Sequence, residues 1–254
     1  MSDSIVRSAA TSPYLADVVI PVRNEEQNIL RFYNRIRTVP AKLNLIFVDN
    51  ASTDTTVPIL KTLPDVTIIQ HATDEGYGGS IVDGIRHSHS RMVIIIDADC
   101  EYPPEAIAAL LNMLETAEVV YGSRFLGRQA GQMPLMKKVG NQIISGIFNL
   151  LFHQQVTDLY TGFKGLRRSA LDGVELTQKG FEHVLELAVK MSRKGFVIRE
   201  YPVEFSPRQA GASRSLHRKT FARNNYRVFR EVLNIQNFCK MDPSYSAEDE
   251  KLRV

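Results

Sequence analysis

The sequence is short of the features that settle a function early. It carries two cysteines in 254 residues, Cys100 and Cys239, too few for a disulfide framework and without the CxxC spacing of a metal site. A reducing, cytoplasmic setting is the resulting expectation. No stretch comes near the roughly 18 to 20 apolar residues that a spanning helix needs. The first fifteen residues, MSDSIVRSAATSPYL, lack the apolar stretch of a secretory signal and read as a flexible tail. Charge of one sign is scarce as well: the formal net charge is +3, which gives no argument for a nucleic-acid partner. The motifs of several enzyme classes are missing. There is no GxxxxGK[ST], no HExxH and no G-x-S-x-G, which removes a P-loop, a zinc protease helix and a serine-hydrolase elbow.

What is present is a 44% hydrophobic composition, enough for one large core, and an uneven distribution of charge. Between Ala130 and Arg230 there are 17 Lys and Arg against 7 Asp and Glu. Such a basic half suits an anionic ligand or a membrane surface; a solvated basic face is the plain alternative. Apolar strand-like runs occur at 16–22, 43–49, 66–70, 91–99 and 118–123. Helix-like segments lie between them: Glu25 to Arg37 after Asn24 as N-cap, Thr55 to Leu63 after Asp54, Gly79 to Ser90, and Pro103 to Glu115. Continuous apolar strands alternating with helices predict an α/β fold with a mostly parallel sheet covered on both faces. Ligands of such sheets gather at the carboxyl ends of the strands. Three of those ends are polar here: Pro21 to Glu25, Asp49-Asn50, and Asp97-Ala98-Asp99.

The stretch IIIDADCEYPPEAI (94–107) is the most telling. Two aspartates one residue apart, at the end of a strand, aim two hard oxygen ligands at one region, which suits Mg²⁺ or Mn²⁺ bridging to the phosphates of a nucleotide. A solvated turn whose acids cap the next helix is the other reading. The segment DEGYGGSIVDGI (74–85) imitates a dinucleotide fingerprint but has Ile81 where the third glycine belongs, and it follows the third strand rather than the first. Gly78 and Gly79 serve either a ligand's close approach or close helix packing.

The ordered motifs VVIPVRNEEQNI, FVDNASTDTT, DEGYGGSIVDGI, IIIDADCEYPP and VVYGSRF resemble the family 2 inverting glycosyltransferases of GT-A fold. DLYTGFKGLRRSAL (158–171) and REYPVEFSPRQAGASR (199–214) are similar to the dolichyl- and undecaprenyl-phosphate mannose or glucose synthases within it. The resemblance implies a Rossmann-like GT-A domain over 16–235, with a nucleotide-sugar half (16–125), an acceptor half (126–235) that includes a C-terminal helical extension, and a polar tail (236–254). It implies a donor of GDP-mannose or UDP-glucose type held by Pro21, Arg23, Glu25, Asp49, Asn50, Asp97 and Ala98. Arg23 stands where the family often has tyrosine, and Asn50 where it often has aspartate, so the base stays open. Asp97, Asp99 and Glu101 would hold the divalent cation. Arg124, Arg208, Arg214 and Lys137 or Lys138 would grip the acceptor phosphate, with Asp99, Arg124 and Arg208 as the catalytic group.

The chemistry is consistent with that implication. A departing nucleoside diphosphate needs its charge neutralised. A phosphate acceptor is already anionic and needs steering by arginines, whereas a hydroxyl acceptor needs a carboxylate base. Glu182, at the head of EHVLELAVKMSRKG, is the one tempting base, and a helix N-terminal carboxylate is the simpler reading of it. Residues 134–152 form an amphipathic stretch that suits either the inner face of a membrane or the core. The basic segment 217–233 is a second membrane candidate. Three functions are therefore carried forward: a polyprenyl-phosphate glycosyltransferase, a soluble GT-A transferase with a hydroxyl acceptor, and a nucleotide-sugar binding module without turnover.

Overall fold

The computed structural model describes residues 12–127 and 135–206, the side chains of 135–137 excepted. Strands β1 (Ala16–Val22), β2 (Leu43–Asp49), β3 (Val66–Gln70) and β4 (Met92–Ile95) alternate with helices α1 (Ile29–Ile36), α2 (Thr56–Leu60) and α3 (Gly76–Arg86). A 3-10 turn at Pro104–Ala106 leads into α4 (Ile107–Leu114). It is followed by β5 (Val119–Ser123), α5 (Leu135–Phe152), β6 (Lys164–Arg167), α6 (His183–Arg193) and β7 (Ile198–Pro202). The seven strands form one sheet in the order β3-β2-β1-β4-β6-β5-β7. Every neighbouring pair is parallel except at β6, which runs antiparallel to both β4 and β5.

Burial explains the apolar runs 18–22, 45–48 and 92–95 in the central strands. Val18, Val19 and Ile20 point alternately to opposite faces, and all three have no exposed surface, so both faces of β1 are covered. The helices cover them with single stripes. Ile29, Phe32, Tyr33 and Ile36 of α1, and Ile107, Leu110, Leu111 and Leu114 of α4, repeat at three- and four-residue spacing and are buried. Each such side chain contributes about 1.5–3 kcal/mol on leaving water. Pro21 sits in the central β1 without breaking a ladder bond, because the pairing of β1 with β4 ends at Val19 and Ile95.

Several boundaries differ from those expected from the sequence, three of them for a clear local reason. The first helix begins at Ile29, not Glu25, with Asn28 at its N-cap position. Asn24 instead takes a left-handed φ of 52°. The N–H groups of Asn24 and Glu25 go to the hydroxyls of Ser52 (2.9 Å) and Thr56 (2.8 Å), so this corner is tied to the loop after β2 rather than wound into helix. The third helix begins early, at Gly76, with φ of 79°. A Cβ on Gly78 would lie 2.2 Å from the Gln178 carbonyl oxygen, so this glycine serves close packing against the chain before α6 and not a ligand. The fourth strand stops at Ile95, and the acids beyond it stand in the turn that follows.

Candidate active site

The sheet register builds the site's first side. Val22, Asp49 and Gln70 stand level on β1, β2 and β3, so Arg23, Asn50 and His71 follow one step beyond at the carboxyl edge. Asp49 is buried, with Oδ2 accepting the Ser52 N–H at 3.3 Å, while Oδ1 has no partner among the described residues. The Nε of Arg23 is likewise buried and unpartnered, and its Nη1 pairs with Asp74. A buried carboxylate oxygen and a buried guanidinium N–H left open are costly unless a ligand completes them. Asn50 is buried too, and its Nδ2 donates to Asp74 at 2.7 Å.

Helix α3 ties this side to the acid pair. Three residues beyond Asp74, the Tyr77 hydroxyl donates to Asp97 Oδ1 at 3.1 Å. Asp97 lies against backbone on its other side: a Cβ on Gly162 would fall 2.1 Å from Asp97 Oδ2, so only glycine fits there. Burial and the neighbouring charge of Asp99 push Asp97 up to about 8, despite the opposing pull of Lys164 and the Tyr77 hydrogen bond. That surplus of negative charge is what a divalent cation relieves, and two carboxylates with the oxygens of a diphosphate suit Mg²⁺ or Mn²⁺. The residues present therefore fit the cation. Among the described residues no three His, Cys, Asp or Glu side chains group to hold a metal. Cys100, at φ of 60°, turns the chain between Asp99 and Glu101. The Glu101 N–H then donates to Asp99 Oδ1 at 3.0 Å and its carbonyl accepts from Ser206, so its backbone closes the turn.

The other side comes from β5, β6 and the chain before β6. Arg124 follows β5 directly and forks onto Asp158: Nε to Oδ2 at 2.7 Å, Nη2 to Oδ1 at 2.8 Å, and its backbone N–H to Oδ2 at 3.0 Å. Nη2 also reaches the Tyr160 carbonyl, and the guanidinium lies over the Tyr102 ring at 5.5 Å. Asp158 has no exposed surface and takes a further bond from Asn141 Nδ2 at 2.5 Å. Lys164, carried to the end of β4 by the antiparallel register of β6 (Ile95 opposite Lys164), is buried and lowered to about 8 by that burial. Its Nζ donates to the Thr161 carbonyl and lies 5.1 Å from the centre of the Tyr121 ring.

The expected residues are thus distributed as follows. Pro21, Arg23, Glu25, Asp49 and Asn50 share one edge, and Asp97 joins it through Tyr77, with Asp99 two residues on in the same turn. Ala98 turns its side chain into the core, so only its backbone remains for a ligand. Lys138 lies on α5, partly exposed. Glu182 is the N-cap residue of α6, and its carboxylate lies over Gly180, where a Cβ would meet Oε2 at 2.2 Å. The Lys137 side chain, Arg208, Arg214 and the segment 217–233 lie outside the described residues. Sequence reading passed over Asp158, Lys164, Tyr77 and His71. A lysine inside TGFKGL, flanked by residues that must be buried, was a signal for the second of these.

Residues 17–174 match the family model described as "Glycosyl transferase family 2". The chain belongs to that family. It is 28% identical over 235 residues to a dolichol-phosphate mannosyltransferase of Pyrococcus furiosus, covering 88% of this chain and 66% of the relative. The chain therefore spans slightly less than two thirds of that relative's own length. An undecaprenyl-phosphate mannosyltransferase of Micrococcus luteus is 27% identical over 207 residues, with 77% and 85% covered. Among solved structures, a glucosyl-3-phosphoglycerate synthase from Mycobacterium tuberculosis with Mn²⁺, uridine diphosphate and phosphoglyceric acid superposes with a TM-score of 0.67. The two are 17% identical, with 87% of this chain and 78% of that one covered, which shows a shared GT-A fold.

Proposed function

We propose that this family 2 chain transfers a hexose, with inversion and dependence on Mg²⁺ or Mn²⁺, from a nucleoside-diphosphate sugar to a polyprenyl phosphate. The observation that carries the reading is the acid pair at the cleft, with Asp97 pushed up to about 8 beside Asp99. It stands on the same edge as the unpartnered Asp49 Oδ1 and Arg23 Nε. In this reading Arg23, Asp49 and Asn50 bind the nucleoside, and Asp97 and Asp99 face the diphosphate. A bound divalent cation would supply neutralisation of the charge developing on the leaving diphosphate. Tyr77 holds Asp97 in place, and Gly162 keeps the space for its carboxylate.

The acceptor assignment follows from chemistry and from the named relatives, which are dolichol- and undecaprenyl-phosphate mannosyltransferases. A phosphate acceptor needs cations and no base. Arg124 is held by Asp158 in a fixed pose, and Arg208 and Arg214 complete the proposed clamp. Helix α5 supports contact with a membrane surface. It turns Asn141, Ser145 and Phe148 inward and leaves Val139, Ile143 and Leu150 exposed, so its outer face is the more apolar one. Among the described residues no helix is long and apolar enough to cross a membrane.

The test is a partition assay. Radiolabelled GDP-mannose or UDP-glucose is offered with Mn²⁺ and a polyprenyl phosphate, and the product is extracted into organic solvent. Label in the organic phase, lost with EDTA, is the expected result. Label released only into water, or transferred only to soluble hydroxyl acceptors, contradicts the lipid-phosphate reading.

A further inference from the structure

We infer that His71 is a positioning residue for the donor site, a two-donor cation that fixes the direction of the Asn50 side-chain amide. The inference rests on Asp49 and Asn50 forming the nucleoside pocket. His71 follows β3 directly, and its backbone N–H donates to the Asp49 carbonyl at 2.9 Å. Its side chain is only 7% exposed. Nδ1 lies 3.2 Å from Asn50 Oδ1, and Nε2 lies 3.0 Å from Asp83 Oδ2. One residue thus holds both members of the pocket.

Other partners decide which way the Asn50 amide faces. The Glu75 N–H donates to Oδ1 at 2.8 Å, and Asp74 accepts from Nδ2 at 2.7 Å. The atom presented to His71 is therefore an oxygen, which accepts and does not donate. Asp83 also offers an acceptor. An imidazole that meets acceptors at both nitrogens carries a proton on each, which is the cationic form. The charged groups on its partners are Asp83, which pairs with Arg86 of α3 at 2.9 Å, Asp74, which accepts from Asn50 and pairs with Arg23, Glu75, whose carboxylate pairs with Lys179, and Asp49, whose carbonyl takes the His71 N–H.

An aspartate at position 50 would need no such device, because a carboxylate has the same atom at both ends. An amide has a direction. With Oδ1 filled by Glu75 and His71, and one Nδ2 hydrogen on Asp74, the remaining N–H is aimed at a fixed place for an acceptor on the nucleoside. If His71 loses a proton, one nitrogen presents a lone pair to an oxygen, and either the Asn50 or the Asp83 contact is lost. Donor affinity then falls with rising pH, while turnover at saturating donor changes less.

The experiment measures binding of GDP and of UDP, each with Mn²⁺, by calorimetry from about pH 5.5 to 8. It compares the full chain with His71→Gln, Asp83→Asn and Asp49→Ala. His71→Gln keeps a donor without a charge, so its ratio to wild type cancels any pH dependence of the metal site. That ratio should be about tenfold at the acid end and approach one at the alkaline end. Asp83→Asn keeps an oxygen acceptor but removes the charge, and its affinity should begin to fall at a lower pH than wild type; this arm stands if His71→Gln does not fold. A ratio that stays constant with pH, or an Asp83→Asn profile identical to wild type, overturns the inference. If Asp49→Ala weakens binding while His71→Gln matches wild type throughout, the pocket stands and only the role of His71 falls. If Asp49→Ala also binds normally, the pocket itself is misplaced and the inference falls with it.

Discussion

The half of the cleft built on β1 to β4 and the half built on β5 to β7 handle buried charge in opposite ways. On the first side Asp49 Oδ1 and Arg23 Nε are enclosed without a partner among the described residues, and Asp97 is pushed up to about 8. On the second, Asp158 is surrounded by donors from Arg124 and Asn141, and its own N–H goes to Glu200 at 2.9 Å. The first side is left for a ligand to complete; on the second, Asp158 is satisfied within the chain. Substitutions of the open groups on the first side should therefore cost binding and substitution of Asp158 should cost stability, although β1 and β5 end at the same edge of the sheet.

The largest effect belongs to the second side. Asp158→Asn leaves the Arg124 guanidinium, with only 13% of its side chain exposed, without its counter-charge. A loss of about 3–5 kcal/mol of folding stability is expected in urea unfolding. A variant within about 1 kcal/mol of wild type would break the comparison. Next comes Asp99→Asn, which removes a charged oxygen from the acid pair at constant size. Turnover should fall on the order of a hundredfold or more, with the melting temperature nearly unchanged. Substantial activity of this variant in EDTA-treated buffer would remove the metal assignment.

Asp49→Ala should weaken binding of the nucleoside diphosphate by about ten- to a hundredfold while folding stability holds, because Oδ1 of that carboxylate has no partner to lose among the described residues. Calorimetry and a thermal melt on the same sample separate the two quantities. The smallest effect is one of pH. A carboxylate raised to about 8 is mostly protonated at neutral pH and ionises as pH rises, so Mn²⁺ binding should strengthen by about fivefold between roughly pH 7 and 8 and level off above. A flat response would place the cation elsewhere.

Much of this arrangement was legible in the sequence, and the reasons are specific. The apolar runs Val18–Val22 and Leu45–Val48 give their strands directly, because a strand covered on both faces is apolar at successive positions; Asp17, buried at the start of β1, is met by Asn44 and by the N–H groups of His89 and Ser90. The polar strand ends after these runs marked the carboxyl edge, where Asp49, Asn50 and Asp97 stand, for the same reason. The antiparallel β6 was not legible: Lys164–Arg167 is short and charged at both ends, and only its pairing with β4 and β5 makes it a strand. With it went Lys164, whose burial is a property of that pairing, and Asp158 in the chain just before it. Asn24 as a helix cap failed because a cap signal names a residue type, whereas the hydroxyls of Ser52 and Thr56 that claimed the neighbouring N–H groups come from nearly thirty residues away. His71 escaped because one histidine after a strand has no pattern. Its meaning lies in the register that sets it beside Asn50.

The most direct test is calorimetric titration of GDP and UDP into the wild-type chain and Asp99→Asn, with Mn²⁺ and again with EDTA. The account predicts that one of the two nucleotides binds the wild type tightly with Mn²⁺, and that affinity falls by at least about tenfold with EDTA and in Asp99→Asn alike. Equal affinity in all four conditions would contradict a cation-dependent nucleotide site at these strand ends.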